Sequence, residues 1–77
     1  MVVINSMPVN SREDAAILGE MMGGEKMAIN TEELKRDYEH FGFMAPYMHC
    51  VLKATGKRHI FFFIHDPRWY FGRMEAD

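Results

Sequence analysis

Five residues, Ile60-Phe61-Phe62-Phe63-Ile64, constrain this chain more than any other stretch. Successive side chains of a strand point to opposite faces, so a half-exposed strand alternates apolar with polar. This run does not alternate. It is either buried on both faces of a sheet or keeps one face for a binding partner. Upstream lie Tyr47–Leu52, also rich in aromatic and β-branched residues, and the compact turn Lys53-Ala54-Thr55-Gly56-Lys57-Arg58. Together these segments predict an antiparallel β-hairpin. A two-residue Thr-Gly turn would set Lys53 opposite Arg58. A three-residue turn with Gly56 at a bulge would set it opposite Lys57. Either places like charges across the tip, which is unfavourable, so the basic tip is tolerated in solvent or kept for a partner. Asp66-Pro67 marks a turn. Trp69-Tyr70-Phe71 can add a short third strand, and Gly72 to Asp77 reads as a polar, frayed tail.

The first half of the chain reads as helical. Val2-Val3-Ile4 can form a short strand before Asn5, Ser6 and Pro8 interrupt it. Ser11 is a candidate N-cap with Asp14 three residues on, and Glu13 and Asp14 complement the helix dipole. Ile17, Leu18, Met21 and Met22 form an apolar stripe and Gly23-Gly24 ends it, which predicts a helix over 12–22. Asn30 with Glu33 is a capping box, and Ile29 with Leu34 has the spacing of a hydrophobic staple. Leu34, Tyr38 and Phe41 continue at i, i+4 and i+7, with Glu32–Arg36 and Lys35–Glu39 as supporting pairs. Gly42 can close this second helix, predicted over 31–41.

These elements predict an α+β fold, with two short helices packed on an antiparallel hairpin or three-stranded sheet. At 77 residues the chain is one domain, with about 1–11 and 73–77 expected to be flexible. So small a core leaves no room for a large catalytic scaffold with its own cleft. An apolar share of 48% and a charged share of 26% are ordinary for a globular chain. No apolar run approaches a membrane span and no secretory signal is expected. Two helices are expected to cover one face of such a sheet, leaving the other for self-association or a partner.

The net charge of −2 conceals an asymmetry. Residues 1–40 carry four basic and eight acidic side chains, 4 − 8 = −4; residues 41–77 carry five and three, 5 − 3 = +2. An acidic half therefore precedes a basic, aromatic one, which suits a charged partner, although each half can also simply solvate itself. The single cysteine, Cys50, permits no internal disulfide and fits a reducing compartment. His49, Cys50, His59 and His65 lie on or beside the hairpin. Adjacent strand residues face opposite ways, so His49 and Cys50 do not converge on one ion. No metal and no cofactor is expected. A Cys–His nucleophile needs a lowered thiol pKa and a cleft, and Cys50 reads better as a small buried hydrophobe. No catalytic residue is assigned. Eight methionines, among them Met21, Met22 and Met27, fill a core or form an adaptable surface.

Gly42-Phe43, Ala45-Pro46-Tyr47, the Gly-containing turn, His65, Pro67-Arg68 and Tyr70-Phe71 together resemble small accessory proteins encoded by bacteriophages and prophages. The resemblance covers residues 42–71. It implies a non-enzymatic protein of the bacterial cytoplasm that binds and blocks a host protein or ribonucleoprotein complex, such as a CRISPR effector, another defence system or RNA polymerase. From the residues themselves, Arg and aromatics dominate interface hot spots, which makes Lys57, Arg58, Arg68, Trp69, Tyr70 and Arg73 the expected contact set. Within the same class, an acidic face of Glu32, Glu33, Asp37 and Glu39 could mimic nucleic acid. Two other readings stand beside it. One is a small RNA- or single-stranded-DNA-binding module that stacks bases on the basic aromatic hairpin. The other is a structural or assembly protein, such as a homodimer, associating through Phe61–Phe63.

Overall fold

A computed structural model describes residues 2–4, 7–44, 46–65 and 67–76, with side chains described from Val9 onward. The elements run β1 Val2–Ile4, β2 Met7–Val9, α1 Arg12–Met21, β3 Ala28–Ile29, α2 Thr31–Asp37, β4 Tyr38–Met44, β5 Tyr47–Leu52, β6 Arg58–Ile64 and β7 Trp69–Glu75. β1 and β2 form a two-stranded antiparallel ribbon. The other strands form one antiparallel sheet of five, in the order β3-β7-β6-β5-β4. The α+β class holds, but the sheet is larger than the expected hairpin or three strands.

Three segments account for the difference. Tyr38–Met44, expected to finish the second helix, is strand β4. Leu34 and Tyr38 both reach the core as their spacing predicts, but Tyr38 does so from extended backbone at φ −129°, ψ 157°. Its ring meets Phe61 edge-on at 5.2 Å, and the Lys53 N–H donates to the Asp37 carbonyl at 2.9 Å. The hairpin tip thus satisfies the end of α2, and the following residues find their partners on β5. Gly72–Glu75, read as a frayed tail, continues β7. Ala28–Ile29 adds a short edge beside Phe71 and Tyr70.

The two helices lie on opposite faces of the sheet, not on one. On the first face α1 contributes Ala15 and Leu18 to a core with Val9, Ala28, Phe62, Ile64 and Phe71. On the second α2 contributes Leu34 to a core with Tyr38, Met48, Cys50, Phe61 and Tyr70. This explains the unbroken run of β6: Phe62 and Ile64 serve one core while Phe61 serves the other. Met22 and Met74 pack against the first core and Met27 against the second, whereas Met21 is exposed.

The start signals of both helices hold. Ser11 accepts from the Asp14 N–H at 3.2 Å, and Asn30 and Glu33 make both bonds of the capping box, at 2.8 and 3.0 Å. The end of α1 is a Schellman motif: the Gly23 N–H donates to the Glu20 carbonyl and the Gly24 N–H to the Gly19 carbonyl. Gly23 takes φ +96°, which a side chain resists.

The hairpin tip follows neither expected register. Val51 pairs with Arg58, and the Leu52 N–H donates to the Lys57 carbonyl, so the loop holds four residues, Lys53 to Gly56. Lys53 faces neither Lys57 nor Arg58. Its Nζ donates to the Lys35 carbonyl at 3.0 Å, a cation at the C-terminal end of α2. The like-charge contact at the tip does not form.

Candidate interaction surface

The six expected contact residues do not share a surface. Lys57 and Arg58 are exposed at the tip between β5 and β6, where Lys57 Nζ lies 3.9 Å from Glu75. Arg68 sits at the opposite end of the seven-residue strands, about 20 Å away. Trp69 faces α1, with the Arg12 guanidinium 5.1 Å above its ring. Tyr70 is core, 2% exposed. Arg73 lies on the α2 face, where it binds the Glu25 carboxylate at 2.6 Å and the Tyr38 hydroxyl at 2.8 Å. The Glu25 carboxylate raises its pKa against the opposing effect of burial, and the Tyr38 hydroxyl adds a smaller rise.

Two of the four acids, Glu33 and Asp37, are occupied within the fold. Glu33 closes the capping box and meets Arg12 at 2.8 Å. The bond from Arg12 first, then the Asn30 N–H, holds its carboxyl below the usual range. Asp37 takes a two-pronged grip from Arg36, Nε and Nη2 each at 3.0 Å, which lowers its pKa in the same way. Glu32 is exposed on α2 and Glu39 is exposed on β4.

His49 is exposed and Cys50 buried, on opposite sides of β5 as alternation requires. Burial pushes the Cys50 thiol up to about 11, the reverse of what a nucleophile needs. His59 is buried beside it, edge-on to Tyr38 at 6.1 Å, with neither ring nitrogen hydrogen-bonded. Among the described residues no three His, Cys, Asp or Glu side chains converge as ion ligands would.

The surface that stands out is one the sequence reading did not assign. Phe61 and Phe62 are core, so that run is no open face. Among the described residues, four of the five exposed large apolar side chains gather instead at the β4–β5 end: Phe41, Phe43 at 58%, Met44 at 68%, and Tyr47; the fifth, Met21, lies on α1. β4 is the outer strand of the sheet. From Phe41 to Leu52 the sequence holds no Lys, Arg, Asp or Glu. Edge strands are ordinarily guarded by charges, proline or bulges, because their open backbone groups invite pairing. Here the guard covers only the first half of β4. The register shifts between Glu39 and Gly42, and His40 takes φ +56°; the Phe41–Met44 half carries no charge. The other edge, β3, has two residues and lies where Arg12 of α1 reaches Glu33 of α2.

On the α2 face this end carries an aromatic notch of about 310 Å³ lined by Phe43, Phe63, His65 and Arg68. Phe43 meets Phe63 edge-on at 5.3 Å. The Arg68 guanidinium lies 5.6 Å above Phe63 and 5.8 Å above Tyr70, contacts His65, and donates to the Tyr70 hydroxyl at 3.1 Å. From the sequence alone Phe43 falls in no element, between the second helix and the hairpin; the uncharged stretch around it is the signal for this surface. No family model matches the chain, and no curated protein or solved structure shows significant similarity to it.

Proposed function

We propose that this chain is a non-enzymatic binding protein that occupies a surface of a larger protein partner, docking through the free half of β4 and the apolar side chains around it. The observation that carries this reading is the coincidence of an outer strand, four exposed large apolar residues and an uncharged stretch of twelve residues, 41–52. An incoming strand would take its main-chain bonds from β4 and set its side chains against Phe41, Phe43, Met44 and Tyr47, a mode in which backbone pairing gives affinity and side-chain pockets give specificity. The phage-type resemblance gives the partner class: a host protein or ribonucleoprotein complex, blocked by occupation. Among the described residues no helix is long and apolar enough to cross a membrane.

The test compares wild type with Phe43→Glu/Met44→Lys, both sites being exposed. The partner captured from a bacterial lysate by wild type is purified and its own activity titrated with each protein. Wild type is expected to inhibit and the double variant to lose at least tenfold in potency. Equal potency would overturn the assignment.

A second reading is favoured by the notch, where a cation lies over aromatic rings beside an exposed Phe43, an arrangement that can stack a nucleobase. A mobility shift with mixed-sequence oligonucleotides at low salt tests it. Binding that weakens steeply with salt and is lost in Phe43→Ala/Arg68→Ala supports it; no binding at micromolar protein removes it.

A further inference from the structure

Away from the Phe41–Met44 half of β4, four separate stretches of chain meet in an open cleft of about 650 Å³ on the α2 face. Its apolar lining comes from Met27, Ile29 and Leu52, which also pack on the second core. Its charged lining comes from Arg36, Lys53 and Arg73, with one acid, Asp37, and the Tyr38 phenol.

These polar groups are anchored and not fully used. Three of the five N–H donors of Arg73 are committed, Nε and one on Nη2 to Glu25 and one on Nη1 to Tyr38. Lys53 gives one of its three donors to the Lys35 carbonyl. Arg36 grips Asp37 through Nε and Nη2, so the only carboxylate in the lining is already neutralised. Counting Glu25 behind Arg73, the site carries three cations against two anions, 3 − 2 = +1. A positively biased rim with spare donors, above an apolar lining, matches a molecule with one anionic head and an apolar stem.

We infer that this cleft is a binding site for a small amphiphilic carboxylate, its head held between Lys53 and Arg73 and its stem laid on Met27, Ile29 and Leu52. The site includes Tyr38, the first residue of β4, but none of Phe41–Met44, so its failure would leave the docking surface untouched.

Octanoate, octanol and inorganic phosphate serve as probes in an amide NMR titration of the intact chain. Octanoate is expected to shift Leu52, Lys53, Ala54 and Arg73 saturably. Octanol, lacking the charge, is expected to bind at least tenfold more weakly, and phosphate, lacking the stem, likewise. Lys53→Met is expected to weaken octanoate about tenfold, the scale of one charge-assisted hydrogen bond; Lys53→Arg is expected to stay within about twofold. Octanol or phosphate binding as tightly as octanoate would overturn the inference. So would unchanged affinity in Lys53→Met, or shifts confined to other residues.

Discussion

Gly19 of α1 and Gly72 of β7 meet backbone to backbone: a Cβ on Gly19 would lie 2.5 Å from the Gly72 amide nitrogen. Gly72 itself takes φ +64° at the register shift between β6 and β7, and a Cβ there would press on Phe62 and Gly19. The helix rests on the sheet at a place where neither side has a side chain, and this sets how close Leu18 comes to Phe62 and Phe71.

Gly72→Ala is therefore expected to cost roughly 2–4 kcal/mol, from the left-handed backbone and the overpacking together. Gly19→Ala should be comparably damaging, because the obstruction is backbone and cannot rotate away. Gly42→Ala, with no atom near its Cβ, is the control and should lie within about 0.5 kcal/mol of wild type. Urea unfolding of the three variants checks the order.

His59 is an expense to the fold. Its buried ring leaves both nitrogens without partners, so His59→Leu should stabilise the chain by about 1 kcal/mol by removing an unsatisfied polar group. That corresponds to a rise in melting temperature of roughly 4–8 °C. A fall would mean that the imidazole does more than fill space.

The Glu33 carboxyl has a pKa below its ordinary value of 4.5. A lowered folded pKa gives stability that is present above the unfolded value and is lost as pH falls through the folded one. Glu33→Gln keeps a residue that can complete the capping box and removes only the charge. Wild type should be the more stable at pH 7, and the difference should start to shrink as the pH falls below 4.5 and disappear once it has passed the lowered folded value. Urea midpoints for both proteins across pH 3–7 read this directly.

Cys50, with its thiol pushed up to about 11 and 1% exposed, should resist alkylation in the folded protein at pH 8 and react fully in guanidinium. Stoichiometric labelling of the native chain would contradict its place in the second core.

Both helix starts were legible because capping is local: Ser11, Asn30 and Glu33 act within three residues of their partners. The end of α2 was not. Leu34, Tyr38 and Phe41 have helical spacing, yet a strand beginning at Tyr38 also brings Tyr38 into the core, and the choice is made by Lys53 and Phe61, distant in sequence. The buried stripe of α1 was half legible. Leu18 was found, but Ala15 and Gly19 carry too little apolar surface to register in a periodicity, and their smallness is what lets the helix approach. The non-alternating Ile60–Ile64 run left burial on both faces and a face kept for a partner equally open, and the placing of one helix on each face depends on crossovers that no local signal records. The contact set does not assemble on one surface because proximity in sequence is not proximity in space: Arg68 and Tyr70 meet on the α2 face, Trp69 between them faces α1, and Lys57 and Arg58 lie at the far tip. The uncharged stretch 41–52 was visible throughout; its meaning emerged once β4 stood at the edge.

The most direct measurement sets two variant pairs side by side in affinity capture from a bacterial lysate, after circular dichroism has established that both are folded. Phe43→Glu/Met44→Lys should abolish capture of the partner, while Lys57→Glu/Arg58→Glu at the far tip should retain it. Capture that survives the first pair and is lost with the second would contradict docking through β4.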